Sequence, residues 1–60
     1  MKTEIILTLK NKTVLTAYSS FIVPSINDCI FIEDGTKIFK VHERFFHMFN
    51  NKVVLIGEIY

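Results

Sequence analysis

Hydrophobic and polar residues alternate with a period of two along most of this chain, and this pattern predicts β-strands. Over residues 3–10, Ile5, Leu7 and Leu9 fall on one face of the segment, and mainly polar side chains fall on the other. Residues 13–23 are rich in β-branched and aromatic side chains, which favour strands. The first third of the chain therefore predicts two successive strands.

The middle of the chain predicts a hairpin around which the other strands assemble. Pro24 ends the second strand, because proline has no N–H to donate to a neighbouring strand. A third strand is expected over residues 29–33, and Asp34-Gly35 is a strong signal for a tight hairpin turn. The chain then returns antiparallel from residue 37 onward.

The aromatic segment 43–49 fits two structures. A long strand could continue through it with a bulge near Glu43, or residues 43–49 could form one helical turn with Phe45 and Phe49 one above the other. We favour the strand, because phenylalanine prefers strands and the segment lacks a good helix N-cap residue.

These elements combine into one fold class. Turn signals at residues 11–12 and 50–51 separate the strands, and a last strand is expected over residues 52–60. The sequence predicts a single all-β domain spanning residues 1–60, with about five strands in an antiparallel meander. Because short strands with tight turns bury a core only by curling, we expect a small barrel or a rolled sheet.

Part of this pattern resembles a known family. Pro24, a strand, the Asp34-Gly35 turn, and a further strand carrying an aromatic residue and a valine resemble small barrels of the Src-homology-three type, as found in short bacterial and phage proteins. The resemblance spans residues 24–59 and departs from the usual pattern at Asn27, where that family has glycine. It implies a fold and transfers no functional residues.

Length and cysteine content change the picture of how such a domain is stabilised. A chain of 60 residues buries only about 60% of the surface that it exposes when unfolded. Such a chain usually needs a disulfide, a structural metal or a partner for stability. Cys29 is the single cysteine, which excludes an intramolecular disulfide and suits a reducing compartment. With neither a signal-peptide pattern nor a membrane-spanning run of apolar residues, we expect a cytoplasmic protein with no membrane partner.

The residues that carry chemistry are sparse. His42 and His47 are five positions apart, which places them on opposite faces of a regular strand, and no further metal ligand stands at a suitable spacing. Cys29 begins the apolar third strand and is expected to be buried and inert. We therefore predict no enzymatic activity, no cofactor and no structural metal.

Nucleic-acid binding is one alternative function. Lys10, Lys12 and Lys52 could gather near the turns, with Tyr18 as a face on which a base could stack. A formal net charge of +1 is far from the strongly basic character that such binding favours. We prefer to interpret these lysines as charges that protect exposed strand edges from pairing.

Apolar residues on both faces of the fourth and fifth strands are the most informative feature. One face fills the core and the other needs a cover, and aromatic residues and methionine are enriched at the centres of interfaces. The candidate interface residues are Phe45, Phe46, Met48, Phe49, Val54 and Ile56. The sequence thus predicts a small binding or assembly module that contacts protein, in first place itself as a homo-oligomer. A further alternative is an inhibitor or accessory subunit of a larger host or phage complex.

Overall fold

The computed structural model describes all 60 residues and contains five strands and no helix. The strands are β1 (Thr3–Leu9), β2 (Val14–Ser20), β3 (Cys29–Ile32), β4 (Lys37–His47) and β5 (Lys52–Ile59). They form a single sheet that curls into a half-barrel, and this confirms the all-β, barrel-like fold class. No helix in the structure is long and apolar enough to cross a membrane.

The order of strands across the sheet differs from a simple antiparallel meander. The order is β2-β1-β5-β4-β3, and β1 pairs with β5 in parallel while every other pair is antiparallel. In the parallel pair Ile5 lies beside Val53 and Leu7 beside Leu55, so the most apolar segments occupy the centre of the sheet. Periodicity showed which residues share a face, but it could not show which strands are neighbours.

The core lies on the concave side of the sheet, which we call the inner face. It consists of six buried side chains from the three central strands: Ile5, Leu7, Phe39, Val41, Val53 and Leu55. Partly buried residues of β2 and β3, including Tyr18 and Ile30, pack against them. So few buried side chains make a small core, as the chain length predicts.

Gly57 on β5 allows close contact between the two longest strands. A Cβ atom added at this position would collide with the backbone carbonyl of Lys40 and would lie 2.9 Å from Cζ of Phe39. The glycine therefore lets the Phe39 ring and the β4 backbone approach β5. Such a close backbone approach is one of the roles that glycine has within a strand.

Residues 43–49 are not helical, and β4 continues as a strand to His47. The pairing with β5 shifts between Val41 and Glu43, which leaves His42 as the extra residue of a bulge. The bent strand that we favoured is therefore confirmed, and the helical turn is wrong. The bulge changes which residues of β4 face the core on either side of it.

The β3–β4 and β4–β5 loops, two of the three hairpin loops, are longer than two residues. Ile32 pairs with Lys37 and His47 pairs with Lys52, so each loop contains four residues. In the first loop Glu33, Asp34 and Gly35 all have positive φ, and the Gly35 N–H donates to the Ile32 carbonyl at 3.1 Å. The predicted turn positions are confirmed, although the loops hold more residues than the shortest hairpin turn.

Residues 21–28 connect the two outer strands, β2 and β3, across one end of the half-barrel. The Asn27 N–H donates to the Val41 carbonyl at 2.8 Å, and the guanidinium of Arg44 donates to the Pro24 carbonyl at 3.2 Å. Within the connection, the Ser25 N–H donates to the Asp28 carboxylate at 2.7 Å. The connection is thus fastened to β4 and does not pair with either open edge of the sheet.

Candidate interaction surfaces

A groove lies between β2 and β3, the two outer strands of the half-barrel. Its volume is about 570 Å³, and its lining is mostly apolar: Leu7, Leu15, Thr16, Tyr18, Ile30, Phe31, Ile32 and Glu33. The two strands face each other across this groove without contacting one another. The sheet is therefore open along one side, and the opening exposes part of its inner face.

The outer strands lack the usual protection of exposed edges. Neither Val14–Ser20 nor Cys29–Ile32 contains a charged residue or a proline, whereas β1, β4 and β5 all carry charges. Natural sheets commonly place lysine or proline on edge strands to prevent pairing with another chain. Both open edges of this sheet are therefore chemically able to accept another strand.

The convex side of the sheet, which we call the outer face, carries a row of apolar residues. Cross-strand partners share a face, and the registers align Ala17, Ile6, Val54 and Phe45 across four strands. Ile56 lies on the same face, two residues beyond Val54 on β5. Three of the candidate interface residues, namely Phe45, Val54 and Ile56, are thus together.

The structure places the other three candidate interface residues elsewhere. Phe46 pairs with buried Val53 and so lies on the inner face, where the Arg44 guanidinium is 5.0 Å from the centroid of its ring. Met48 and Phe49 lie in the loop between β4 and β5, and their side chains are 88% and 101% exposed. The six candidate residues therefore divide into a group on the outer face, a pair in the β4–β5 loop, and Phe46 alone on the inner face.

The lysines proposed for nucleic-acid contact are not gathered in one place. Lys52 pairs with Glu4 near the start of β1, whereas Lys10 and Lys12 follow the end of that strand. The Nζ atom of Lys10 lies 2.7 Å from the Glu58 carboxylate, which raises the pKa of Lys10 through a hydrogen bond and charge attraction. Their interpretation as edge protection is wrong, because none of the three lies on β2 or β3.

Tyr18, the proposed stacking residue, lines the groove instead of standing beside these lysines. Partial burial raises the pKa of its phenol, because burial disfavours the charged form. Sequence reasoning missed the groove itself, since its two walls are separated by the long 21–28 connection. The absence of charge from both outer strands was the signal in the sequence that could have indicated it.

The histidines and the cysteine form no reactive arrangement. No group of three or more histidine, cysteine, aspartate or glutamate side chains is placed to hold a metal ion. Nε2 of His42 lies 3.7 Å from the Glu58 carboxylate, beyond hydrogen-bond distance, and has no other partner. Cys29 is exposed on β3, so the expectation that it is buried is wrong, because its strand is an open edge.

Comparisons of the chain with protein-family models, with curated proteins and with solved structures found no match. The resemblance of residues 24–59 to barrels of the Src-homology-three type stays a prediction.

Proposed function

We propose that this chain is a binding and assembly module that acts through protein–protein contact and associates with copies of itself. One observation carries the proposal: of the six phenylalanines, only Phe39 is buried. Single exposed apolar residues are common on folded proteins, but clusters of exposed aromatic residues mark sites of interaction. Three of the five exposed phenylalanines, Phe45, Phe46 and Phe49, are close together in sequence at the end of β4 and in the β4–β5 loop. Phe31 lies at the groove and Phe21 in the 21–28 connection.

The size and charge of the chain support self-association. Six buried side chains form a core that is small for independent stability, and the chain has neither a disulfide nor a set of metal ligands to reinforce it. A formal net charge of +1 gives copies little electrostatic reason to repel one another. The exposed thiol of Cys29 is compatible with a reducing compartment, and we propose the cytoplasm as the site of action.

The test is the solution mass of the purified chain, measured by light scattering over a dilution series. We expect a discrete oligomer at micromolar concentration that dissociates on dilution toward the 7.0 kDa monomer. A folded monomer at every concentration would refute the self-association part of the proposal.

Two surfaces carry predicted interface residues, and substitution separates them. Phe45→Glu places a charge in the apolar row of the outer face, and Met48→Glu places one in the β4–β5 loop. Thr13→Glu is the control, because Thr13 is exposed in the β1–β2 turn, away from both surfaces and from the groove. Loss of assembly with the first two variants alone would assign the contact to the predicted interface residues.

A further inference from the structure

The directions of the strands determine what can close the open side of the half-barrel. Taking β1 as pointing up, β5 and β3 also point up, while β2 and β4 point down. The two open edges, β2 and β3, therefore run in opposite directions. A strand that enters the gap must pair with both edges in order to close the sheet.

We propose that the occupant of the groove is a second copy of this chain, and that two half-barrels join edge to edge into one closed ten-stranded barrel. A two-fold axis along the barrel preserves strand directions, so β3 of one copy meets β2 of the other antiparallel. The same axis generates an identical junction on the opposite side. This is a closed, isologous arrangement, the commonest symmetry of soluble homo-oligomers.

Strand direction favours a second copy over a single strand from a foreign protein. One inserted strand would be antiparallel to β2 or to β3 but never to both, because the edges run in opposite directions. Pairing with a second copy is antiparallel at both junctions, and antiparallel pairing is slightly more stable per residue than parallel pairing. The same contact also pairs the N–H and C=O groups on the two open edges of the second copy.

The chemistry of the groove fits this occupant. The groove walls of the two copies would meet, so that the partly buried Leu15, Ile30 and Ile32 side chains of one copy gain apolar neighbours from the other. The outer strands themselves contain no charge, and Glu33, the one charged residue of the groove lining, is 3.5 Å from the Lys37 ammonium. An apolar small molecule could fill the groove, but it would leave the N–H and C=O groups of both edges unpaired.

The size of a stable interface sets how much of the chain such a dimer must cover. A stable interface buries roughly 800 Å² on each partner. The isolated chain exposes 4297 Å², so about a fifth of its surface would have to be covered. The edge strands are open to such a contact, since Thr16, Ala17, Cys29 and Phe31 are exposed, whereas Val54 and Ile56 on the outer face are already half-buried by their neighbours.

This inference rests on the proposed self-association, and the first experiment separates the two. Phe31→Glu places a carboxylate on the β3 edge at the groove, opposite a β2 strand that has no cation to pair with it. Phe21→Glu is the matched control, because Phe21 and Phe31 are both 72% exposed and Phe21 lies outside the groove. We expect Phe31→Glu to raise the dimer dissociation constant at least about tenfold, and Phe21→Glu to change it less than about twofold.

The second experiment uses the single native thiol, and does not depend on the folding of the Phe31 variant. Cysteine is introduced singly on β2, as Thr16→Cys, Ala17→Cys or Ser19→Cys, and the chain is oxidised mildly. We expect at least one of these positions to form a disulfide with Cys29 of another copy, giving a covalent dimer. Each variant combined with Cys29→Ser should remain uncross-linked.

The outcomes are distinct. A monomeric wild type at all concentrations refutes both the proposed self-association and this inference. A wild-type oligomer that resists Phe31→Glu but dissociates with Phe45→Glu leaves self-association standing and overturns the closed barrel. A disulfide within one chain, or open-ended filaments instead of dimers, also overturns it. Loss of the dimer with Phe31→Glu alone, together with an intermolecular disulfide, supports it.

Discussion

The Nδ2 atom of Asn51 donates a hydrogen bond to the backbone carbonyl of Lys2 at 2.8 Å, although the two residues are 49 positions apart. Oδ1 of the same side chain accepts from the Thr3 hydroxyl at 3.3 Å, and its backbone carbonyl accepts from the Glu4 N–H at 3.2 Å. One loop residue therefore fastens the start of β1 against the beginning of β5. This contact defines one end of the parallel pair in the middle of the sheet.

We expect replacement of Asn51 to loosen the first residues of β1. Asn51→Gly keeps the positive φ of 49° accessible but removes both side-chain hydrogen bonds, at a cost of about 1 kcal/mol in unfolding free energy. Asn51→Ala should cost about 1 kcal/mol more, because alanine is also strained at this φ. The checks are urea denaturation and faster hydrogen exchange at the Glu4 amide. Equal stabilities for both variants would contradict the backbone part of the argument.

Substitution of Gly57 should destabilise the protein more than substitution of Gly35, the other glycine of the chain. Gly57→Ala forces a methyl group against the Lys40 carbonyl and the Phe39 ring, and we expect a loss of about 1–3 kcal/mol or more. Gly35→Ala is the control, since its methyl group would meet open space and only the positive φ is unfavourable. Thermal and urea denaturation of both variants provides the comparison. The explanation fails if Gly35→Ala proves the more damaging change.

Phe39 should contribute more to stability than any other phenylalanine. It is the largest fully buried side chain, so Phe39→Ala should cost about 3–5 kcal/mol, through lost burial and the cavity left behind. A domain of this length has only a few kcal/mol in total, so we expect this variant to be largely unfolded by circular dichroism. Phe49→Ala, at a fully exposed loop position, should be within about 0.5 kcal/mol of wild type.

Glu58 should make stability depend on acidity. The hydrogen bond and the charge of Lys10 hold the pKa of the Glu58 carboxyl below its ordinary value of 4.5. A carboxyl with a lowered pKa in the folded state stabilises that state fully above its unfolded-state pKa, and the stabilisation is lost as the pH falls through the lowered value. Raising ionic strength to about 0.5 M should weaken it, because both side chains are partly exposed.

The matched variant for this acid dependence is Glu58→Gln, which keeps the shape of the side chain and removes its charge. Urea denaturation of both proteins should show a stability difference that is constant above about pH 6 and shrinks below pH 4.5. Parallel curves down to about pH 2 would mean that the Lys10 contact contributes nothing to folding.

The sequence by itself determined the local structure of this protein. Period-two alternation gives strands because successive side chains of an extended backbone point to opposite faces. Gly35 and Asn51 mark loops because they tolerate positive φ, and the interruption at Glu43 indicates a bulge because it breaks the alternation. Each of these signals acts over a few neighbouring residues, so each can be recognised in the sequence alone.

Only the tertiary structure decided which strands are neighbours and which apolar residues are covered. Phe45 and Phe46 are equivalent by residue type, yet cross-strand pairing puts the first beside Val54 on the outer face and the second beside Val53 on the inner face. The insertion of β5 between β1 and β4 leaves β2 and β3 as open edges and separates Lys52 from Lys10. Strand pairing is a contact between distant residues, and period-two patterning is the same for any choice of neighbour.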